Sequence, residues 1–281
     1  MFQKISVAGS GTMGSGIAQC AAQQGIQVVL LDTNAVVLEK AQRSIERSLQ
    51  QLRDKGKLTE ADASAIYNRI TFTSNVQDAL APLFIEAIIE KLEIKIQLFK
   101  EVMAVNGPGT IYASNTSSLS IDALQAALPY PNLVGGLHFF NPATLMKLVE
   151  VVQGKQTDTK VIEQLLAFCN QLNKTPVRCS DAPGFIVNRV ARHYYLEAMR
   201  MVEQGIATME NVDDLMESVG FRMGPFRLMD LIGNDINLAV SQSLYDAFEH
   251  EPRFQPSSLQ IERVQSGNLG RKSGQGFYSY S

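Results

Sequence analysis

The 281-residue chain has only three cysteines, Cys20, Cys169 and Cys179, and they are scattered. There is no CxxC pair and no Cys/His metal-ligand spacing, so neither a disulfide framework nor a metal centre is expected. An odd, dispersed set fits a reducing compartment, each thiol filling a small gap in the core. Excess charge of one sign is lacking too: 25 Lys and Arg face 28 Asp and Glu, a formal net charge of −3. That balance argues against nucleic-acid or anionic membrane partners, while leaving room for a local patch that holds a phosphorylated ligand. No apolar run approaches the roughly 18 residues of a bilayer span. No targeting segment is expected, because Phe2 to Ala8 already reads as a buried strand, and the chain is read as cytoplasmic. Repeats and low-complexity tracts are absent. Apolar residues, at 45%, are plentiful. They suffice for a large core, and at roughly 100–200 residues per domain the length suggests two domains.

The first segment, Lys4 to Ala8, is short, apolar and β-rich, and runs into Gly9-Ser10-Gly11-Thr12-Met13-Gly14. A helical stretch from Ile17 to Gln24 follows, then a second buried strand from Gln27 to Leu31, closed by Asp32. Val37, Ala41, Ile45, Leu49 and Leu52 recur at spacings of three and four, the mark of a long amphipathic helix. A shorter helix is expected from Thr59 to Asn68. Further strands are expected at Ile70 to Thr73, Leu83 to Ala87, Thr110 to Ala113, Leu133 to His138, Leu148 to Val152 and Thr175 to Arg178. The clearest helix between them runs from Leu92 to Val105. This βα alternation predicts an α/β fold with a mostly parallel, doubly wound Rossmann-type sheet over residues 1–183. Beyond Asp181-Ala182-Pro183-Gly184 only helices are expected: Phe185 to Gln204, Val212 to Val219, Asn234 to Glu249 and Ser258 to Val264. Residues 184–281 are therefore read as a helical C-terminal domain.

GxGxxG alone is a weak signal. Here a strand precedes it, a helix and a second strand follow, and an acid ends that second strand, which together mark a dinucleotide site. Gly9 permits the tight turn, Gly11 lets the backbone approach a pyrophosphate, and Gly14 allows close helix–strand packing. The helix N-terminus at Thr12 and Met13 offers N–H groups to the phosphates. Asp32, 18 residues after Gly14, stands where an acid accepts hydrogen bonds from a ribose. With no Arg beside it to hold a 2′-phosphate, NAD is favoured over NADP. The other reading of Asp32 is an N-cap, a role that Thr33 and Asn34 could also fill.

Histidine is scarce: His138, His193 and His250. His138 ends an apolar strand and precedes Phe139-Phe140-Asn141-Pro142, at the sheet edge where open α/β folds bind ligands. By itself such a histidine, beside two phenylalanines, is more often a packed core residue. Glu150 lies inside the run Leu148 to Val152, where a carboxylate is costly unless paired. An imidazole is its natural partner, giving a base with an orienting acid, and the alternative partner is Lys147. Asn115-Thr116-Ser117-Ser118 and Asn188 are further polar candidates, each also explicable as a capping element.

These residues resemble the 3-hydroxyacyl-CoA dehydrogenase family, particularly its short bacterial 3-hydroxybutyryl-CoA type. The likeness spans Val7 to Tyr280, carried by VAGSGTMGSGIAQ, EAIIEKLEIK, SNTSSLSI, GLHFFNPATLMKLVEVV, DAPGFIVNR, GPFRLMDLIG and KSGQGFY. It implies NAD-dependent oxidation of an L-3-hydroxyacyl-CoA, with His138 taking the hydroxyl proton and Glu150 orienting it. Ser117 and Asn188 would hydrogen-bond the substrate oxygens. Glu90, Lys95, Ser117, Asn141 and Lys272 would serve the cofactor, and Ser48 and Lys55 would meet CoA. The stretch Gln50 to Lys55 departs from the family's denser lysine cluster, and Asp54 would oppose the CoA phosphates. A dicarboxylic substrate such as 3-hydroxyadipyl-CoA is the alternative within the class. A retired NAD-binding structural protein is the alternative outside it, and it has no need of His138, Glu150, Ser117 and Asn188 together. The generous apolar helix content after residue 183 points to a homodimer through that domain.

Overall fold

Alternating strands and helices form the first unit of the chain, Met1–Ala182, in a computed structural model that describes residues 1–280. Its strands are β1 (Lys4–Ala8), β2 (Gln27–Leu31), β3 (Ile70–Thr73), β4 (Leu83–Glu86), β5 (Ile111–Ser114), β6 (Val134–Phe139), β7 (Leu148–Gln153) and β8 (Thr175–Ser180). Its helices are α1 (Thr12–Gln23), α2 (Ala35–Asp54), α3 (Glu60–Asn68), α4 (Leu92–Asn106), α5 (Ile121–Gln125) and α6 (Thr159–Gln171). The sheet order is β3-β2-β1-β4-β5-β6-β7-β8, parallel except where β7 runs against β6. A parallel β7 would need a long crossover. The loop from residue 140 to residue 147 holds no helix, so the chain turns back instead. The expected α/β class with a mostly parallel, doubly wound sheet is borne out.

Local chemistry explains the elements. Asn34 caps α2 by accepting from the N–H groups of Val36 and Val37. The helix buries Ala41, Ile45 and Leu49, the apolar face its spacing predicts. Thr59 and Asp62 form a reciprocal capping box on α3. The core threads between sheet and helices through Ile5, Val7, Leu30, Ile85, Leu137, Val149, Val151 and Leu165.

Three departures from the expected elements have physical causes. Helix α1 starts at Thr12 rather than Ile17, because glycines of low helix propensity are held by packing. A Cβ on Gly14 would overlap the carbonyl of Gly9, and one on Gly16 would stand 3.1 Å from the Ala143 side chain. Strands β5 and β6 are each displaced one residue toward the C-terminus, so Phe139 rather than His138 ends β6. Helices α5 and α6, and a further helix at Pro225–Ile232, have no bounds assigned from the sequence. Yet α6 buries Val161, Ile162, Leu165, Phe168 and Cys169, a helical period that the sequence shows.

The second unit starts at Pro183 and contains α7 (Val187–Glu203), α8 (Met209–Ser218), α9 (Pro225–Ile232), α10 (Asn234–Ala247) and α11 (Ser258–Gln265). Leu196, Met199, Phe226, Met229 and Phe277 form its apolar centre. Buried polar anchors supplement it. The Asp230 carboxylate accepts from Asn234 Nδ2 (2.8 Å), the N–H groups of Phe277 and Tyr278 (both 2.9 Å) and the Tyr280 hydroxyl (3.0 Å). These bonds fold the C-terminal KSGQGFY segment onto α9. Gly270 and Gly276 are required there, since a Cβ on either would overlap Asp230. Among the described residues, no helix is long and apolar enough to cross a membrane.

Candidate active site

The glycine turn leaves the carboxyl end of β1 beside β4, where the strand order reverses direction. That crevice is the usual ligand position in an open α/β sheet. Gly9, at φ +91°, donates its N–H to Leu31 O (2.8 Å), and a Cβ there would overlap Ala87. A Cβ on Gly11 would meet nothing within 4 Å, so open space faces the backbone where a diphosphate has to approach. Gly11 caps α1 with no side-chain hydrogen bond, leaving first-turn N–H groups for an anion. Asp32 Oδ2 accepts from the Ser10 N–H (2.8 Å) and hydroxyl (2.9 Å), and Oδ1 accepts from the Asn34 N–H (2.9 Å). Asn34, not Asp32, caps α2. Asp32 also lines a cleft of about 220 Å³ with Leu31, Ile88, Ile94 and Leu98, an apolar slot beside an acid that suits an adenosine. These residues fit a dinucleotide.

Register brings His138 and Glu150 together. They are directly opposed on antiparallel β6 and β7, so both side chains leave the same face of the sheet. His138 Nδ1 lies 2.7 Å from Glu150 Oε2, with the two residues 6% and 1% exposed. A carboxylate only accepts, so in this contact Nδ1–H is the donor. The Phe140 ring lies 4.5 Å from the imidazole, centroid to centroid. Lys147, the alternative partner for Glu150, instead donates to Asn173 O (3.3 Å).

A second polar cluster stands at the carboxyl ends of β4 and β5. Glu90 Oε1 accepts from the Thr116 hydroxyl (2.6 Å), the Ser117 N–H (2.9 Å) and the Ser118 N–H (3.3 Å). Lys95, only 1% exposed, places its ammonium 2.6 Å from Glu86 Oε1 and 3.1 Å from Glu90 Oε2. It is a buried cation between two acids. Burial opposes ionisation of Glu90, but the Lys95 charge and the hydrogen bonds hold its carboxyl below the usual range. Glu86 is completely buried, and burial pushes its pKa up against the pull of Lys95. Sequence reasoning missed Glu86 although the signal was that of Glu150, an acid inside an apolar strand. Asn115 is a tie rather than a cap: its Oδ1 accepts from the Phe139 N–H (2.9 Å), linking the end of β5 to the strand of His138.

Ser48 accepts from Gln19 Nε2 (2.9 Å) and lines a cleft of about 410 Å³ with Gly11, Thr12, Ser15, Lys40, Ser44 and Asn141. The cleft therefore gathers the glycine turn, Ser48 and Asn141. Lys40, which sequence reasoning passed over, is its one cation among the described residues. Lys55 is an exposed cap at the end of α2, and Asp54 accepts from Gln50 (2.7 Å). Asn188 lies in the first turn of α7, and Lys272 in a short turn with its ammonium on both oxygens of Asp235 (2.5 and 2.7 Å). Both belong to the second unit.

The glycine turn and its acid give the first unit the form of a dinucleotide-binding domain. Residues 4–182 match the family profile described as 3-hydroxyacyl-CoA dehydrogenase, NAD binding domain, and residues 184–280 match the C-terminal domain of the same enzymes. The chain belongs to the 3-hydroxyacyl-CoA dehydrogenase family. It is 47% identical over 280 residues to 3-hydroxyadipyl-CoA dehydrogenase of Escherichia coli, an alignment covering 99% of this chain and 59% of that protein. The chain thus spans less than two thirds of that relative's length. It is 43% identical to a probable 3-hydroxybutyryl-CoA dehydrogenase of Deinococcus radiodurans, covering 99% of this chain and all of that one. The crystal structure of (S)-3-hydroxybutyryl-CoA dehydrogenase from Ralstonia eutropha matches at a TM-score of 0.95 and 37% identity, covering 100% of both chains.

Proposed function

We propose that this chain interconverts a short L-3-hydroxyacyl-CoA, such as 3-hydroxybutyryl-CoA, and its 3-oxoacyl-CoA with NAD. The observation that carries this reading is the His138 Nδ1–Glu150 Oε2 contact of 2.7 Å on opposed strands. The imidazole oriented in this way would take the C3 hydroxyl proton through Nε2 during oxidation and return it during reduction. Glu150 fixes the tautomer and compensates the imidazolium that forms. Bound NAD supplies the hydride acceptor. Gly9 to Gly14 and Asp32 would hold its phosphates and ribose, while Glu90, Ser117 and Asn141 would border the reacting end. Ser117 and Asn188 would bond the substrate oxygens. The Ser48 cleft would receive CoA, with Lys40 drawing its phosphates. Lys272 would have to share or release Asp235 to reach a ligand. A cytoplasmic, reducing setting accords with three free thiols.

The similarity to the Escherichia coli enzyme favours a second substrate, a dicarboxylic 3-hydroxyacyl-CoA. Absorbance at the NADH band, with acetoacetyl-CoA and 3-oxoadipyl-CoA compared, tests both readings. Rapid NADH consumption is expected with at least one ester, and the larger kcat/KM names the acyl tail. NADPH should be at least about 100-fold poorer, since its 2′-phosphate would meet the Asp32 carboxylate at a like-charge cost of several kcal/mol. No turnover with either ester would remove the assignment.

The second unit is further proposed as the dimer surface. Ile206, Leu215, Val219, Phe221, Leu231 and Ile236 are each 49–64% exposed, a large apolar share for one small unit. Sedimentation at micromolar concentration should give a dimer, and a clean monomer would count against it.

A further inference from the structure

We infer that Glu86 is a positioning residue for catalysis, holding Ser117 in place through Lys95 and Glu90. The inference rests on the reading of Ser117 as a ligand of the substrate oxygen.

The chain of contacts is continuous. Glu86 ends β4 and has no solvent exposure. Its Oε1 accepts from Lys95 Nζ (2.6 Å) and the Ile88 N–H (2.7 Å), and its Oε2 accepts from the Ser114 hydroxyl (2.6 Å). One carboxylate thereby ties together the end of β4, the start of the loop after it, the end of β5 and the first turns of α4. Lys95 passes the constraint on, because its ammonium also meets Glu90 Oε2 at 3.1 Å. The other Glu90 oxygen gathers the Thr116–Ser118 turn, including the Ser117 N–H at 2.9 Å and hydroxyl at 3.4 Å.

A structural ion pair alone would need only Glu86 and Lys95. Adding Glu90 leaves two acids on one buried cation, a formal excess of negative charge. Glu90 is 36% exposed, so water shares its charge, but Glu86 is wholly buried, and a buried carboxylate is costly unless its hydrogen bonds are complete. They are complete: every Glu86 oxygen has a donor, and Glu90 takes its donors from the turn that carries Ser117. Without the Glu86 charge, Lys95 is free to shift fully onto Glu90 and draw that carboxylate off the turn. Reacting groups misplaced by about 1 Å lose on the order of 100-fold in rate.

Glu86→Gln keeps the shape and removes the charge. The measurement is kcat and KM for acetoacetyl-CoA, Kd for NADH by fluorescence titration, and Tm, for Glu86→Gln, Ser117→Ala and the double variant. Glu86→Gln is expected to lower kcat about 10- to 100-fold with NADH affinity retained. In the Ser117→Ala background it should cost little more, because the two act in one chain. Glu86→Asp, which keeps the charge but withdraws it, should give an intermediate loss and serves if the Gln variant does not fold. Full activity in Glu86→Gln or Glu86→Asp, or additive losses in the double variant, would overturn the inference. If Ser117→Ala itself keeps normal kcat and KM, it is the reading of Ser117 that fails.

Discussion

Replacing His138 with glutamine lowers kcat for acetoacetyl-CoA reduction by about 10²–10⁴-fold, the contribution of a positioned general acid–base group, while Kd for NADH is unchanged. The expectation follows from how the site is divided. His138 sits at the carboxyl end of β6, whereas the glycine turn and Asp32 belong to β1 and β2. Glutamine approximates the imidazole in size and polarity but neither takes nor gives up a proton near neutral pH. Steady-state rates with NADH titrations on the same preparations check it. A histidine that merely packed beside Phe139 and Phe140 would show the opposite pattern, with a lower Tm and a nearly normal kcat per folded molecule. That result would end its assignment as the base.

Glu150→Gln separates orientation from packing. The carboxylate is 1% exposed and meets Nδ1 at 2.7 Å, so its charge acts on the imidazole with little screening by water. Glutamine can keep one hydrogen bond but does not compensate an imidazolium, and its NH₂ can impose the wrong tautomer by donating to Nδ1. In the serine-protease triad the corresponding acid-to-amide change costs about 10⁴-fold in kcat. A loss of about 10²–10⁴-fold is expected here, on the general acid–base scale, with the fold intact. Tm should hold or rise, because a buried charge has been removed and the hydrogen bond can be retained. An unchanged kcat would reduce Glu150 to a structural residue, and a collapsed Tm would show that the sheet depends on its charge.

The sequence alone determined the β1–glycine turn–α1–β2–Asp32 unit, since strand, turn and helix signals there are local and agree. It also determined the eight strand positions to within a few residues at their ends. The repeating βα pattern implied a mostly parallel sheet, and the change of pattern at Pro183 implied a helical remainder. His138 and Glu150 could be singled out one by one, as a scarce residue at a strand end and an acid in an apolar run. Their chemistry and the family resemblance suggested the pair, with Lys147 as the alternative, but only tertiary structure made the contact, because 2.7 Å depends on β7 running antiparallel to β6 in a register that sets 138 against 150. A shift of one residue would have put one of the two on the opposite face of the sheet. The same holds for Lys95 and Glu86. Residues nine apart on a helix and a strand show no sequence signal of contact, and only the packing of α4 against β4 makes Lys95 a buried cation on Glu86. Composition and periodicity report what each segment buries, whereas register and helix placement decide which buried charges meet.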